Sequence, residues 1–134
     1  MLGRGEKEDP KLPRLILIVD DDPAIRSTVS EILDMEGYPV ESAANGQEAL
    51  AKVRATRPWL IILDMRMPIM DGWAFARTLH EEGIKIPILV MTAAQNARRW
   101  AEEIGANAYI PKPFDLDELL SAVNKFVEPQ PTND

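Results

Sequence analysis

The stretch WLIILD, Trp59 to Asp64, sets five apolar residues directly before a single carboxylate. A run this short, with no polar alternation, reads as a central strand of a sheet covered on both faces. Asp64 then stands where that strand ends. Two further runs have the same character, LILIV at Leu15 to Val19 and IPILVM at Ile86 to Met91. Tyr38 to Ala43 and Asn107 to Ile110 are weaker strands, placed nearer the edges. Helical patterns fill the gaps. Asp22-Pro23 supplies a cap and a proline at the first position of a helix carrying Ile25, Val29, Ile32 and Leu33, and Gly37 stops it. Asn45 caps a second helix that ends before Pro58, and a third runs from Gly72 to Glu82 with Gly83 closing it. A short fourth helix is expected from Gln95 to Ile104, and a last one from about Asp115 with Leu119, Leu120, Val123 and Phe126 inward. Five strand–helix repeats predict an α/β fold: a doubly wound, five-stranded parallel sheet of (βα)5 form, with right-handed crossovers and helices on both faces.

Composition narrows the function. With 134 residues, 46% of them hydrophobic, the chain suits one domain with one core. A formal net charge of -7 argues against a general nucleic-acid surface. The absence of cysteine excludes disulfides, thiolate metal sites and cysteine nucleophiles. No apolar run approaches the ~20 residues of a membrane span. Residues 1–14 carry no apolar centre and are expected to form a flexible leader rather than a signal peptide; 15–127 form the folded domain, and 128–134, EPQPTND, a flexible tail. A cytoplasmic protein is the expectation.

In parallel α/β folds ligands bind outside the carboxyl ends of the strands. The residues expected there are Asp20, Asp21 and Asp22 after the first strand, Asp64 after the third, Thr92 after the fourth and Lys112, between prolines, after the fifth. Each has an ordinary explanation alone. Asp22 suits a helix cap, Thr92 a strand-end hydroxyl and Lys112 a turn lysine. Asp20 and Asp21 cannot also cap that helix, and three adjacent like charges call for a cation. A carboxylate after five apolar residues is partly desolvated, which a metal or a lysine would offset. Together the set fits phosphoryl transfer. Asp64 is the nucleophile, Mg²⁺ or Mn²⁺ is held by Asp20, Asp21, Asp64 and the backbone carbonyl of Arg66, and Lys112 and Thr92 stabilise phosphoryl oxygens.

The segments LILIVDDDPAIR, LIILDMRMPIMDGW, ILVMTA and AYIPKPF resemble, in order, the hallmark motifs of receiver domains of two-component response regulators, of the single-domain, chemotaxis-regulator-like kind. The similarity extends from about Leu15 to Val127. It implies a flavodoxin-like strand order, 2-1-3-4-5. It also makes Asp20 and Asp21 the acidic pair, Asp64 the phosphorylated aspartate, Thr92 the switch hydroxyl, Lys112 the family's lysine and Tyr109 the aromatic switch. Lys112-Pro113 falls where the family commonly has a cis peptide. Pro68, Met70, Asp71 and Gly72 match the loop that shapes the site after the acceptor. The stretch from Thr92 to Tyr109 is about two residues shorter than in many relatives, which suggests a short or displaced fourth helix. Ala94 and Arg66 occupy positions that tune phosphate lifetime in the family. Tryptophans are more often core than docking residues, but Trp100 is placed with Tyr109 on the family's interaction face. His80 reads as a solvated helix residue.

The resemblance implies a phosphorelay switch that accepts a phosphoryl group from a histidine kinase or a histidine phosphotransfer protein. Such a domain catalyses only its own phosphorylation and dephosphorylation and is not an enzyme acting on a separate substrate. It is expected to work as a monomer or a phosphorylation-dependent dimer, without direct contact to nucleic acid or membrane. A degenerate receiver serving as a phosphorylation-independent scaffold is the alternative. A Mg²⁺-dependent phosphatase with a DxD pair, spelled here by Asp20 and Asp22, ranks third because it leaves Asp64 and the PKP segment unexplained. No output domain is expected after the last helix.

Overall fold

The computed structural model describes residues 14–127. The expected leader and tail lie outside the described residues, apart from Arg14, whose guanidinium sits 5.7 Å from the centre of the Trp59 ring. The elements are β1 (Ile16–Val19), α1 (Pro23–Met35), β2 (Val40–Ala43), α2 (Gly46–Thr56), β3 (Leu60–Leu63), α3 (Gly72–Glu81), β4 (Ile88–Ala93), α4 (Ala94–Ile104), β5 (Ala108–Lys112) and α5 (Leu116–Val127). The strands pair in parallel in the order β2-β1-β3-β4-β5.

Two-residue periodicity sorts the apolar runs between two layers of core. Leu17, Val19, Ile61, Leu63 and Val90 face α2, α3 and α4, meeting Leu50, Val53, Phe75 and Leu79. Ile16, Ile18, Leu60, Ile62, Leu89 and Met91 face α1 and α5, meeting Val29, Leu33, Leu119 and Val123. Strands buried on both sides explain why β1 and β3 show no polar alternation.

Side-chain caps start most of the helices. Asp22 accepts from the Ala24 N–H ahead of Pro23, Asn45 from Glu48 and Asp71 from Ala74. Asp115 and Glu118 form a reciprocal box at the start of α5. Helix α4 has no side-chain cap.

Four expectations need correction. Strand β2 begins at Val40, because the Tyr38 N–H donates to the Leu33 carbonyl at the end of α1. Strand β4 begins at Ile88, after Pro87, which has no N–H to give the ladder, and runs on through Ala93. Strand β5 begins at Ala108, with Asn107 closing its start through its side chain and N–H on Ile88, and runs on to Lys112. Thr92 and Lys112 therefore lie inside strands rather than after them. Helix α4 is not short: its 11 residues match α2. It begins at the residue directly after β4.

Candidate functional site

The ends of β1 and β3 lie side by side, with Val19 opposite Leu63 and the Asp64 N–H donating to the Val19 carbonyl. That register sets Asp20, Asp21 and Asp64 together, and one carboxylate oxygen from each lies within 4.8 Å of the others. Asp20 is fully buried and Asp64 is 6% exposed, while Asp21 faces solvent. Asp20 is held on both sides: Oδ1 accepts from the Asp22 N–H at 2.9 Å and Oδ2 from Lys112 Nζ at 2.8 Å. Arg26 anchors the Asp20 carbonyl at 2.7 Å. Lys112 Nζ also stands 3.7 Å from Asp64 Oδ2. A cis peptide joins Lys112 to Pro113, as expected.

Burial raises the Asp64 carboxyl to about 6, with the negative charge of Asp20 adding to the rise and Lys112 opposing it. For Lys112, burial works against the charged form, but the hydrogen bond to Asp20 and the charge of Asp64 outweigh it and hold the ammonium above its ordinary value. Three carboxylates thus share one cation. The donor set fits an oxygen-seeking divalent metal, which takes one or two protein carboxylates and completes its shell with other oxygens.

Thr92 is 3% exposed on β4, and its side chain makes no hydrogen bond among the described residues. It lines a cleft with Asp64, Lys112 and Arg66. Tyr109, paired opposite Val90, is 46% exposed and does not line that cleft. Arg66 is exposed, on the rim of the cleft.

Trp100 departs from the expectation of an interaction-face residue. It is buried, meets Trp73 edge-to-face at 4.9 Å, and belongs to the core under α3 and α4. Trp73 in turn donates from Nε1 to Glu103 at 2.9 Å. The periodicity held this signal: Ala97, Trp100, Ala101 and Ile104 share one helical face.

The loop after Asp64 rests on two glycines. A Cβ on Gly72 would meet Met65 Cα at 2.8 Å and the Asp64 carbonyl at 3.0 Å, and one on Gly46 would meet the Met70 carbonyl at 2.8 Å. Ile69 sits at φ 71° with 75% exposure, inside a turn closed by the Met70 N–H on the Pro68 carbonyl. A β-branched residue in that region is strained.

A family model for the response regulator receiver domain matches residues 16–124. This chain belongs to that family. Among curated proteins, the response regulator MprA of Mycolicibacterium vanbaalenii is 43% identical over 112 residues, which is 82% of this chain and 48% of that protein. The chain thus spans about half the length of the curated relatives it matches. Among solved structures, the chemotaxis response regulator CheY4 of Vibrio cholerae aligns at TM-score 0.78 with 34% identity, covering 86% of this chain and 99% of that one. The response regulator TrrA of Thermotoga maritima, solved in complex with Mg²⁺–BeF, aligns at 0.75 with 34% identity, covering 84% and 98%. The receiver's strand order is the flavodoxin-like one of these neighbours. No helix among the described residues is long and apolar enough to cross a membrane.

Proposed function

We propose that this receiver domain is a cytoplasmic phosphoacceptor switch, charged on Asp64 by a histidine kinase or a histidine phosphotransfer protein. One observation carries the reading: a nearly buried Asp64 sharing a 4.8 Å cluster with Asp20 and Asp21, 3.7 Å from Lys112. An Asp64 oxygen attacks phosphorus, the bond to the donor nitrogen breaks, and an aspartyl phosphate forms. Asp20, Asp21 and Asp64, with the Arg66 carbonyl, would hold Mg²⁺ or Mn²⁺, which when bound neutralises charge between the anionic partners. Lys112, held by its hydrogen bond to Asp20, would meet a phosphoryl oxygen as a point charge. The Thr92 hydroxyl, buried and unpartnered among the described residues, is the second donor. Water attacking the same phosphorus later restores Asp64, so the chemistry is confined to the domain's own carboxylate.

Signalling then requires phosphate contacts that differ between two states, because equal contacts shift nothing. Movement of Thr92 toward the phosphoryl group would open room beside β5 for the exposed Tyr109 ring, remodelling the α4–β5–α5 face. Either a new partner or a second copy could read that face.

Titration with beryllofluoride and Mg²⁺, followed by NMR, tests the reading. Shifts that require both reagents and spread from Thr92 to Tyr109 are expected. Shifts confined to the acidic cluster, or none, would leave a scaffold role as the better account.

A further inference from the structure

A cleft of about 740 Å³ opens from Asp64 between α1, the start of α4 and the loop after β5. Its inner end is polar, with Asp64, Thr92 and Lys112. Its apolar wall is formed by the half-buried Ile25 of α1 and Phe114, with the buried Val29 and Trp100 behind them, and Thr28, Gln95 and Asn96 line the rest. The direct β4–α4 junction contributes to it, since only Ala93 and the first turn of α4 stand where a connecting loop would lie. A volume in this range suits a whole small molecule. Acetyl phosphate fills on the order of 150 Å³, roughly five times the share of one water molecule, and would leave most of the cleft wet.

In phosphoryl transfer the attacking and leaving oxygens lie roughly in line with phosphorus. With Asp64 at the closed end, the leaving group of a donor extends outward along the apolar wall. We propose that this cleft is a leaving-group site, and that it favours phosphodonors carrying a flat apolar group, namely aromatic acyl phosphates. The inference rests on the phosphoacceptor reading and adds a substrate class to it. An Asp64 oxygen forms the new bond to phosphorus. The bond from phosphorus to the acyl oxygen breaks, and the aromatic carboxylate leaves with that electron pair. No proton or further reactant is needed, and charge balances. Lys112 at the inner end matches the phosphate dianion, while the half-buried Ile25 and Phe114 match the aryl group.

Initial rates of phosphoryl incorporation, read by intact mass, compare benzoyl phosphate with acetyl phosphate at equal concentration with Mg²⁺. Benzylphosphonate and methylphosphonate, which transfer nothing, serve as competitors against acetyl phosphate and remove differences in donor reactivity. Burying the ring should give a preference of about tenfold or more, in rate and in competition alike. Thr28→Trp, and separately Ala24→Trp, place a bulky ring on the exposed α1 wall of the cleft, and each should cut the preference to about twofold or less. Equal rates and equal competition would overturn the inference, as would a preference untouched by either variant. Labelling by neither donor would overturn the phosphoacceptor reading and this inference with it. Labelling by both at one rate would overturn only the inference.

Discussion

Asp64→Asn should make the domain more stable at neutral pH, although it removes the proposed phosphoacceptor. In the folded state burial and Asp20 lift the Asp64 carboxyl to about 6 from 3.8. A raised acid favours the protonated form, so its cost is absent below the unfolded value, grows as pH rises from the unfolded value to the folded one, and is complete above pH 7. A rise of that size corresponds to about 3 kcal/mol. The carboxyl opens on one side to the cleft, and screening there reduces the figure to about 2 kcal/mol. Asparagine keeps the shape without the charge, and Lys112 keeps its bond to Asp20. Urea denaturation in EDTA at pH 4 and pH 7.5 measures the difference between wild type and variant. The expected gain is about 2 kcal/mol at pH 7.5, or roughly 8 °C in Tm, and about 0.5 kcal/mol or less at pH 4. Millimolar Mg²⁺ should stabilise wild type and not the variant, closing the gap. A variant no more stable than wild type at pH 7.5 would show that the ionised Asp64 carries no such cost. So would a gain of equal size at pH 4, since Asp20, Asp21 and Lys112 would then not be setting the carboxyl's energy.

Lys112→Ala strips the cation from a fully buried Asp20 and should cost about 2–3 kcal/mol in metal-free buffer by urea denaturation; Mg²⁺ should recover part of that loss. Gly72→Ala drives a Cβ to 2.8 Å from Met65 Cα, where no side-chain rotation relieves it, so the unfolding free energy should fall by about 2 kcal/mol. Ile69→Asn relaxes a positive φ at an exposed position that packs little, and calorimetry should show a gain of about 1 kcal/mol.

Much of this site is legible in the sequence because parallel sheets reduce a three-dimensional question to a linear one. The first polar residue after each apolar run marks a strand end, and Asp20, Asp21 and Asp64 converge on that basis alone. The division of labour inside the trio is not legible. Whether Asp20 or Asp21 turns inward depends on the pleat at the end of β1, and it is Asp20 that is buried against Lys112. The extension of β4 through Ala93 was hidden for a similar reason. Thr92 and Ala93 are strand residues because Pro111 and Lys112 lie opposite them, and a pairing partner across the sheet leaves no trace in local sequence. The direct passage from β4 into α4 at Ala93–Ala94 is likewise invisible until that extension is known. Trp100 was legible and misjudged: its helical face pointed to the core, while the family resemblance pointed to the surface.

Asp64 is proposed to accept a phosphoryl group with the help of a divalent cation. Incubation with acetyl phosphate, with and without Mg²⁺, followed by intact mass, tests it most directly, with Asp64→Ala in parallel. One added phosphoryl group that requires Mg²⁺ and is absent from the variant is the predicted result. No mass gain, or a gain that persists in Asp64→Ala, would rule out Asp64 as the phosphoacceptor.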